Sequence, residues 1–182
     1  LAVSGNMLGA NDATYTGLAD YLLSADSLAQ LEQQLNKLQW SDNPQQQISQ
    51  LLQQLVIPTT ETGELEQQRP AIDQHFAHQQ ISAIIASLKQ DASPWAQTTL
   101  ETLNTRSPMA LVTALEFQRR AKQLSLSQCL ALELHVIERW FNQGDFIEGV
   151  RALLIDKDKN PRWKYPSIAA VVDKEIQQLF AD

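Results

Sequence analysis

One cysteine, six glycines and three histidines are scattered through 182 residues, and each scarcity closes a class of function. A lone Cys129 cannot form an internal disulfide, and no cluster of Cys or His surrounds it, so a thiolate metal site is not expected and a reducing compartment is. Cys129 itself reads as a small apolar core residue. Positive charge is also short. Fourteen Lys and Arg face twenty-one Asp and Glu, a net charge of −7, and no basic stretch exceeds pairs such as Arg119-Arg120, which argues against a nucleic-acid partner. A local basic spot can still hold one phosphate-bearing ligand. No run of eighteen apolar residues and no basic-then-apolar leader occurs, so neither a membrane span nor a signal peptide is expected. The glycines form neither a phosphate-cradling loop nor a Gly-x-Gly-x-x-Gly pattern, and no solenoid-length repeat stands out.

What is present is a helical punctuation. At 43% hydrophobic residues the chain can bury a core, and one main domain is expected. Ala10 to Thr16 reads as a short helix stopped by Gly17, and Leu18 to Leu23 as a single strand with no obvious partner later in the chain. Ser24 caps a helix carrying Leu28, Leu31, Leu35 and Leu38, and Pro44 opens the next, with Ile48, Leu51, Leu52 and Leu55 on one face. Residues 57–70 are polar and read as a loop or hinge. Helices are predicted near 71–76, 79–89, 94–104, 108–123 and 126–143, with a last short one after Pro166. Ser93-Pro94 and Ser107-Pro108 are matched starts, and Ser125 with Gln128 a capping box. The 126–143 helix is apolar on a wide arc and is expected to be central. The start at Leu1, without Met, reads as a cut.

The stretch from Gly144 to Trp163 is the most informative. Asp145 and Glu148 suit a second capping box, with both carboxylates at the positive end of the helix dipole. Phe146, Val150, Leu153 and Leu154 follow on one face, and Asp156-Lys157-Asp158-Lys159-Asn160-Pro161 ends the helix. By spacing alone this reads as a surface-docked amphipathic helix with a charged exit loop.

Other candidates are weighed on their surroundings. Glu133 lies among Cys129, Leu130, Val136 and Ile137; a buried carboxylate there is either a catalytic acid or base or half of an ion pair with an arginine such as Arg151. His75 and His78, three apart, lack the companions of a metal motif and read as exposed polar residues. His135 reads as a core-edge histidine. By residue inventory the chain shows no active site of its own.

The helix opening Asp145-x-x-Glu148-Gly149, followed by an apolar run and a lysine, resembles the C-terminal signature of the crotonase (enoyl-CoA hydratase/isomerase) superfamily. The longer string Glu148 to Asp158, with Asn160-Pro161-Arg162-Trp163-Lys164 behind it, resembles the 3-hydroxyisobutyryl-CoA hydrolase branch. Gly5, Ala10, Ala13 and Gly17-Leu18-Ala19-Asp20 resemble the stretch that follows the crotonase active-site helix. The resemblance implies a mainly α chain, the C-terminal helical part of a crotonase-type α/β (β-spiral) fold with at most one short strand. Residues 1–23 would be the tail of the spiral core and 24–182 the helical domain. It implies hydrolysis of 3-hydroxyisobutyryl-CoA, a step of valine breakdown, by carboxylates and oxyanion donors that precede Leu1. No residue here would be catalytic and no metal is called for. Coenzyme A enters as part of the substrate and no separate cofactor is required. A lysine after the C-terminal helix can approach the coenzyme A phosphates, which points to Lys157 with Leu153 as its apolar neighbour; the usual Phe is Leu153 and the lysine register is offset by one. The partners implied are an acyl-CoA, the missing N-terminal core and a second copy in a homo-oligomer. The compartment implied is a bacterial-type cytoplasm, or the mitochondrion of a eukaryote. A hydratase/isomerase fragment and a non-catalytic helical interaction module are the alternatives.

Overall fold

The computed structural model describes residues 1–57 and 61–181. Its helices are α1 (Ala10–Tyr15), α2 (Ala25–Leu35), α3 (Pro44–Leu55), α4 (Glu64–Gln67), α5 (Arg69–His75), α6 (Ile81–Gln90), α7 (Pro94–Thr105), α8 (Pro108–Ala121), α9 (Leu126–Gln143), α10 (Phe146–Val150) and α11 (Asp173–Leu179). A π-turn at Arg151–Ile155 extends α10, and a 3₁₀ turn at Ile168–Ala170 precedes α11.

The expected strand is corrected. Leu18–Leu23 is irregular, and no β-strand exists among the described residues. A strand needs a ladder, and among the described residues the segment's one backbone bond to a distant residue runs from Ile57 N–H to Leu22 O at 3.0 Å. Two compact units result: Met7–Pro70, and Leu1–Asn6 together with Ala71–Asp182. The junction read after residue 23 falls inside the first of these.

In the Met7–Pro70 unit, α1 ends in a Schellman arrangement. Gly17 takes φ +71°, Gly17 N–H reaches Thr14 O at 3.1 Å, and Leu18 N–H reaches Ala13 O at 2.9 Å. Ser24 accepts from Ser27 N–H and Asn43 from Gln46 N–H, starting α2 and α3. The two helices pack together, with Leu51 buried between glutamine-rich outer faces. Part of the stretch read as a hinge is structured: α4 follows Gly63, and Asp12 accepts from Leu65 N–H at 2.9 Å. A Cβ on Gly63 would fall 2.2 Å from Asp12 Oδ1, so a side chain there would push the carboxylate away from Leu65 N–H. Residues 58–60 of that stretch lie outside the described residues.

In the larger unit the serine caps form as read: Ser93 accepts from Ala96 N–H, Ser107 from Ala110 N–H, and Ser125 and Gln128 complete a reciprocal box. One apolar cluster joins Ile81, Ile84 and Leu88 of α6 to Ala96 and Leu103 of α7 and Leu111 of α8. A second joins Met109, Val136, Tyr165, Ile176, Leu179 and Phe180. Val112 touches both. The expectation for α9 is corrected: Val136 is its one buried residue, while Leu126, Leu130, Leu134, Ile137 and Phe141 stay exposed.

Candidate functional site

The site is built where α9 turns into α10. Gly144 is fixed sterically, since a Cβ there would lie 2.6 Å from the Trp140 ring. Asp145 does not cap α10, which overturns the second capping box. Its carboxylate is buried, accepting from the Ser107 hydroxyl at 2.5 Å and the Lys164 backbone N–H at 2.7 Å. One side chain thus ties the start of α8 and the 160s segment to the α9–α10 corner.

Arg151 organises the loop that leaves the helix. Its guanidinium donates to both Glu148 oxygens at 2.9 and 2.7 Å, to Asp156 at 2.6 Å, to Asp158 at 2.7 Å and to Asn160 O at 3.2 Å. Glu148 also accepts from Arg162 N–H at 2.6 Å. Hydrogen bonds from Arg151, and then from the Arg162 N–H, hold the Glu148 pKa down at about 2. The same guanidinium, and then the Asn160 N–H, lower that of Asp158, and the three carboxylates raise that of Arg151. These bonds shape the exit loop. Lys157 and Lys159, which alternate with the gripped aspartates, take φ of +56° and +53°, a region that costs a non-glycine residue roughly 1 kcal/mol or more. Asp156 N–H bonds Arg151 O at 2.8 Å, five residues back, closing the π-turn.

Beside this loop lies a groove of about 670 Å³ whose lining includes Arg106, Trp140, Val150, Leu153, Lys159 and Trp163. Trp163 covers Gly149, its ring 3.6 Å from where a Cβ would stand. Leu153 lines the groove and is 61% exposed. Lys157 is exposed on the loop and does not line it; the lysine that does is Lys159. The groove is chiefly apolar, with cations at its edge. Its lining carboxylate, Asp145, is already occupied by two donors.

The remaining candidates separate. Glu133 is exposed, and Arg151 is committed to Glu148, Asp156 and Asp158, so neither the buried acid nor the Glu133–Arg151 pair forms. His78 is exposed as read, but His75 is 1% exposed, its ring between Ser87 Oγ at 2.7 Å and Asp91 Oδ2 at 2.9 Å. Sequence reading missed this cluster because Ser87 and Asp91 stand 12 and 16 positions away, beyond the reach of any single-helix spacing. The Ser93 backbone N–H and then His75 lower the Asp91 pKa. His135 sits between Ala181 O at 2.7 Å and Arg139 at 2.8 Å. Cys129 is half-buried. Among the described residues no group of three or more His, Cys, Asp or Glu is placed to hold a metal ion.

The family described as enoyl-CoA hydratase/isomerase matches residues 1–180. The chain belongs to that family. Among curated relatives, the mitochondrial 3-hydroxyisobutyryl-CoA hydrolase of Dictyostelium discoideum is 32% identical over 99% of this chain and 48% of its own length. The human protein of that name is 29% identical over 99% of this chain and 47% of its own length. Among solved structures, a carnitinyl-CoA dehydratase from Mycobacterium thermoresistibile superposes with TM-score 0.84 at 26% identity, covering 99% of this chain and 49% of that one. An enoyl-CoA hydratase from Rhodobacter sphaeroides gives 0.76 at 30%, covering 98% and 49%. The chain spans about half the length of the relatives it matches. Among the described residues no helix is long and apolar enough to cross a membrane.

Proposed function

We propose that this chain is the C-terminal part of an acyl-CoA thioester hydrolase that converts 3-hydroxyisobutyryl-CoA to 3-hydroxyisobutyrate and coenzyme A, a step of valine degradation. The observation that carries the reading is the likeness to 3-hydroxyisobutyryl-CoA hydrolases along 99% of the chain but less than half of theirs. The part proposed here covers the coenzyme A cleft and packs on an N-terminal core, and the attacking carboxylate and oxyanion donors belong to that core. The carboxylates of the corner suit a supporting role, since Glu148, Asp156 and Asp158 are engaged by Arg151. Coenzyme A arrives as part of the substrate with no separate cofactor. Leu153 packs on its stem and Lys157 reaches its phosphates from the rim. The apolar row Leu126, Leu130, Leu134, Ile137 and Phe141 recurs at three- and four-residue steps, is 46–76% exposed, and suits burial against further protein. The compartment proposed is reducing: the cytoplasm of a bacterium or the mitochondrion of a eukaryote.

A second reading, hydration of an enoyl-CoA, is favoured by the likeness to the Rhodobacter sphaeroides hydratase. Rates on 3-hydroxyisobutyryl-CoA and crotonyl-CoA, for the full-length polypeptide beside the 182-residue chain, decide between them. Thioester cleavage by the full-length protein, with neither hydration nor cleavage by the shorter chain, is the expected result. Hydration without cleavage overturns the hydrolase reading, and cleavage by the shorter chain overturns the placement of the catalytic groups.

A further inference from the structure

The exit loop after the π-turn alternates two kinds of residue. The Asp156 and Asp158 carboxylates and the Asn160 carbonyl accept from Arg151 at 2.6, 2.7 and 3.2 Å, and Lys157 and Lys159 stand between them. The helix end holds the same loop through its backbone, with Asp156 N–H on Arg151 O at 2.8 Å and Lys159 N–H on Ala152 O at 3.0 Å. Asp158 accepts in addition from Asn160 N–H at 2.9 Å. Every second residue is pinned.

The pinning sets both lysines at positive φ, +56° and +53°, where glycine or asparagine meets less steric resistance than a lysine does. Their side chains do nothing inside the fold to offset that strain. Both are exposed, and among the described residues neither ammonium meets a carboxylate or another hydrogen-bond acceptor. Strain that the fold does not use marks a group held in place for something else. Lys159 lines the groove of about 670 Å³ together with Arg106, and the Asp145 carboxylate on that lining is already taken by Ser107 and Lys164. The charge the groove leaves to a ligand is positive.

We propose, on the reading that the full-length protein takes an acyl-CoA, that Arg151 is a positioning residue for it: by holding Asp156, Asp158 and Asn160 it sets the backbone of Lys159 so that this ammonium meets a phosphate at the edge of the groove. An ammonium fixed beforehand gives up less conformational freedom on meeting a phosphate than one on a free loop, and that difference is the contribution of Arg151. Arg151 itself, engaged by three carboxylates, touches no ligand. Its planar fork is what lets one side chain reach all of them, which a lysine, as a point charge, cannot copy.

Calorimetric titration of coenzyme A into the full-length polypeptide tests this, for the unsubstituted protein, Arg151→Met, Lys159→Gly and the double variant. Each single substitution is expected to weaken binding about tenfold, the size of one charge-assisted contact. The double variant is expected to lose about as much as either alone, because Arg151 acts through Lys159. Glycine at 159 accepts the positive φ, so that variant keeps the fold, checked by an unchanged circular dichroism spectrum. Undiminished binding by either single variant, or losses that multiply to about a hundredfold in the double variant, overturn the positioning role. Thioesterase rates on the same preparations keep the readings apart. Thioester cleavage with undiminished binding by the variants overturns the positioning role alone, and the expected losses without cleavage overturn the hydrolase reading alone. An unsubstituted protein that does not bind coenzyme A overturns both.

Discussion

α6 and the corner after α9 are both rich in apolar residues and use them in opposite ways. On α6, Ile81, Ile84 and Leu88 are 0–3% exposed and meet α7 and α8. At the corner, Leu153, Leu154 and Ile155 are 61–70% exposed, and what fixes the backbone is Asp145 with its two donors and Arg151 with its three carboxylates. Non-directional burial holds the first region and directional polar bonds hold the second. The difference teaches that a segment positioned by hydrogen bonds and ion pairs keeps its apolar side chains free to meet something else.

Substitutions in the two regions should give a graded set of effects. Leu88→Ala removes fully buried methyl groups from α6 and is expected to cost about 3 kcal/mol in urea unfolding; a cost below about 1 kcal/mol would show that the first cluster does not hold the unit together. Asp145→Ala leaves the Ser107 hydroxyl and the Lys164 N–H without their acceptor and is expected to cost about 2 kcal/mol, read the same way. Gly144→Ala drives a methyl into the Trp140 ring, at about 1 kcal/mol, with a change in tryptophan fluorescence as the ring shifts.

Arg151→Met acts on pH dependence. Glu148 is held at about 2 against an ordinary value of 4.5, so its stabilising effect is complete above about 4.5 and fades as pH falls toward 2. In the variant, an NMR titration of Glu148 should move toward 4.5 and that part of the acid sensitivity should disappear; an unmoved titration would mean that Arg151 is not its partner in solution. Leu153→Ser, on the outward face, is expected to change stability by less than about 0.5 kcal/mol while weakening coenzyme A binding by the full-length protein. A large stability loss would place Leu153 in the core and erase the contrast with α6.

Local chemistry was legible in the residues. Ser24, Ser93, Ser107 and Ser125 cap the helices they precede because an N-cap needs only a side-chain oxygen and an N–H two or three residues on. Gly17 stops α1 because left-handed φ favours glycine. The family resemblance was legible in Glu148 to Lys164. Asp145 was misread because a carboxylate at a helix start has a local use, while its real partners lie 38 and 19 positions away. His75 was misread for the same reason, its burial depending on where α6 comes to lie.

Composition and spacing alone therefore determined a helical chain and the ends of most of its helices, and short strings of residues pointed to its family, since these follow from contacts within a few residues. Which face of α9 is buried, which partners Asp145 and His75 find, and whether Lys157 or Lys159 lines the groove were decided only by tertiary structure. Periodicity states that a helix has an apolar face but not what covers it, and a charged side chain takes whichever partner the fold brings within about 3 Å.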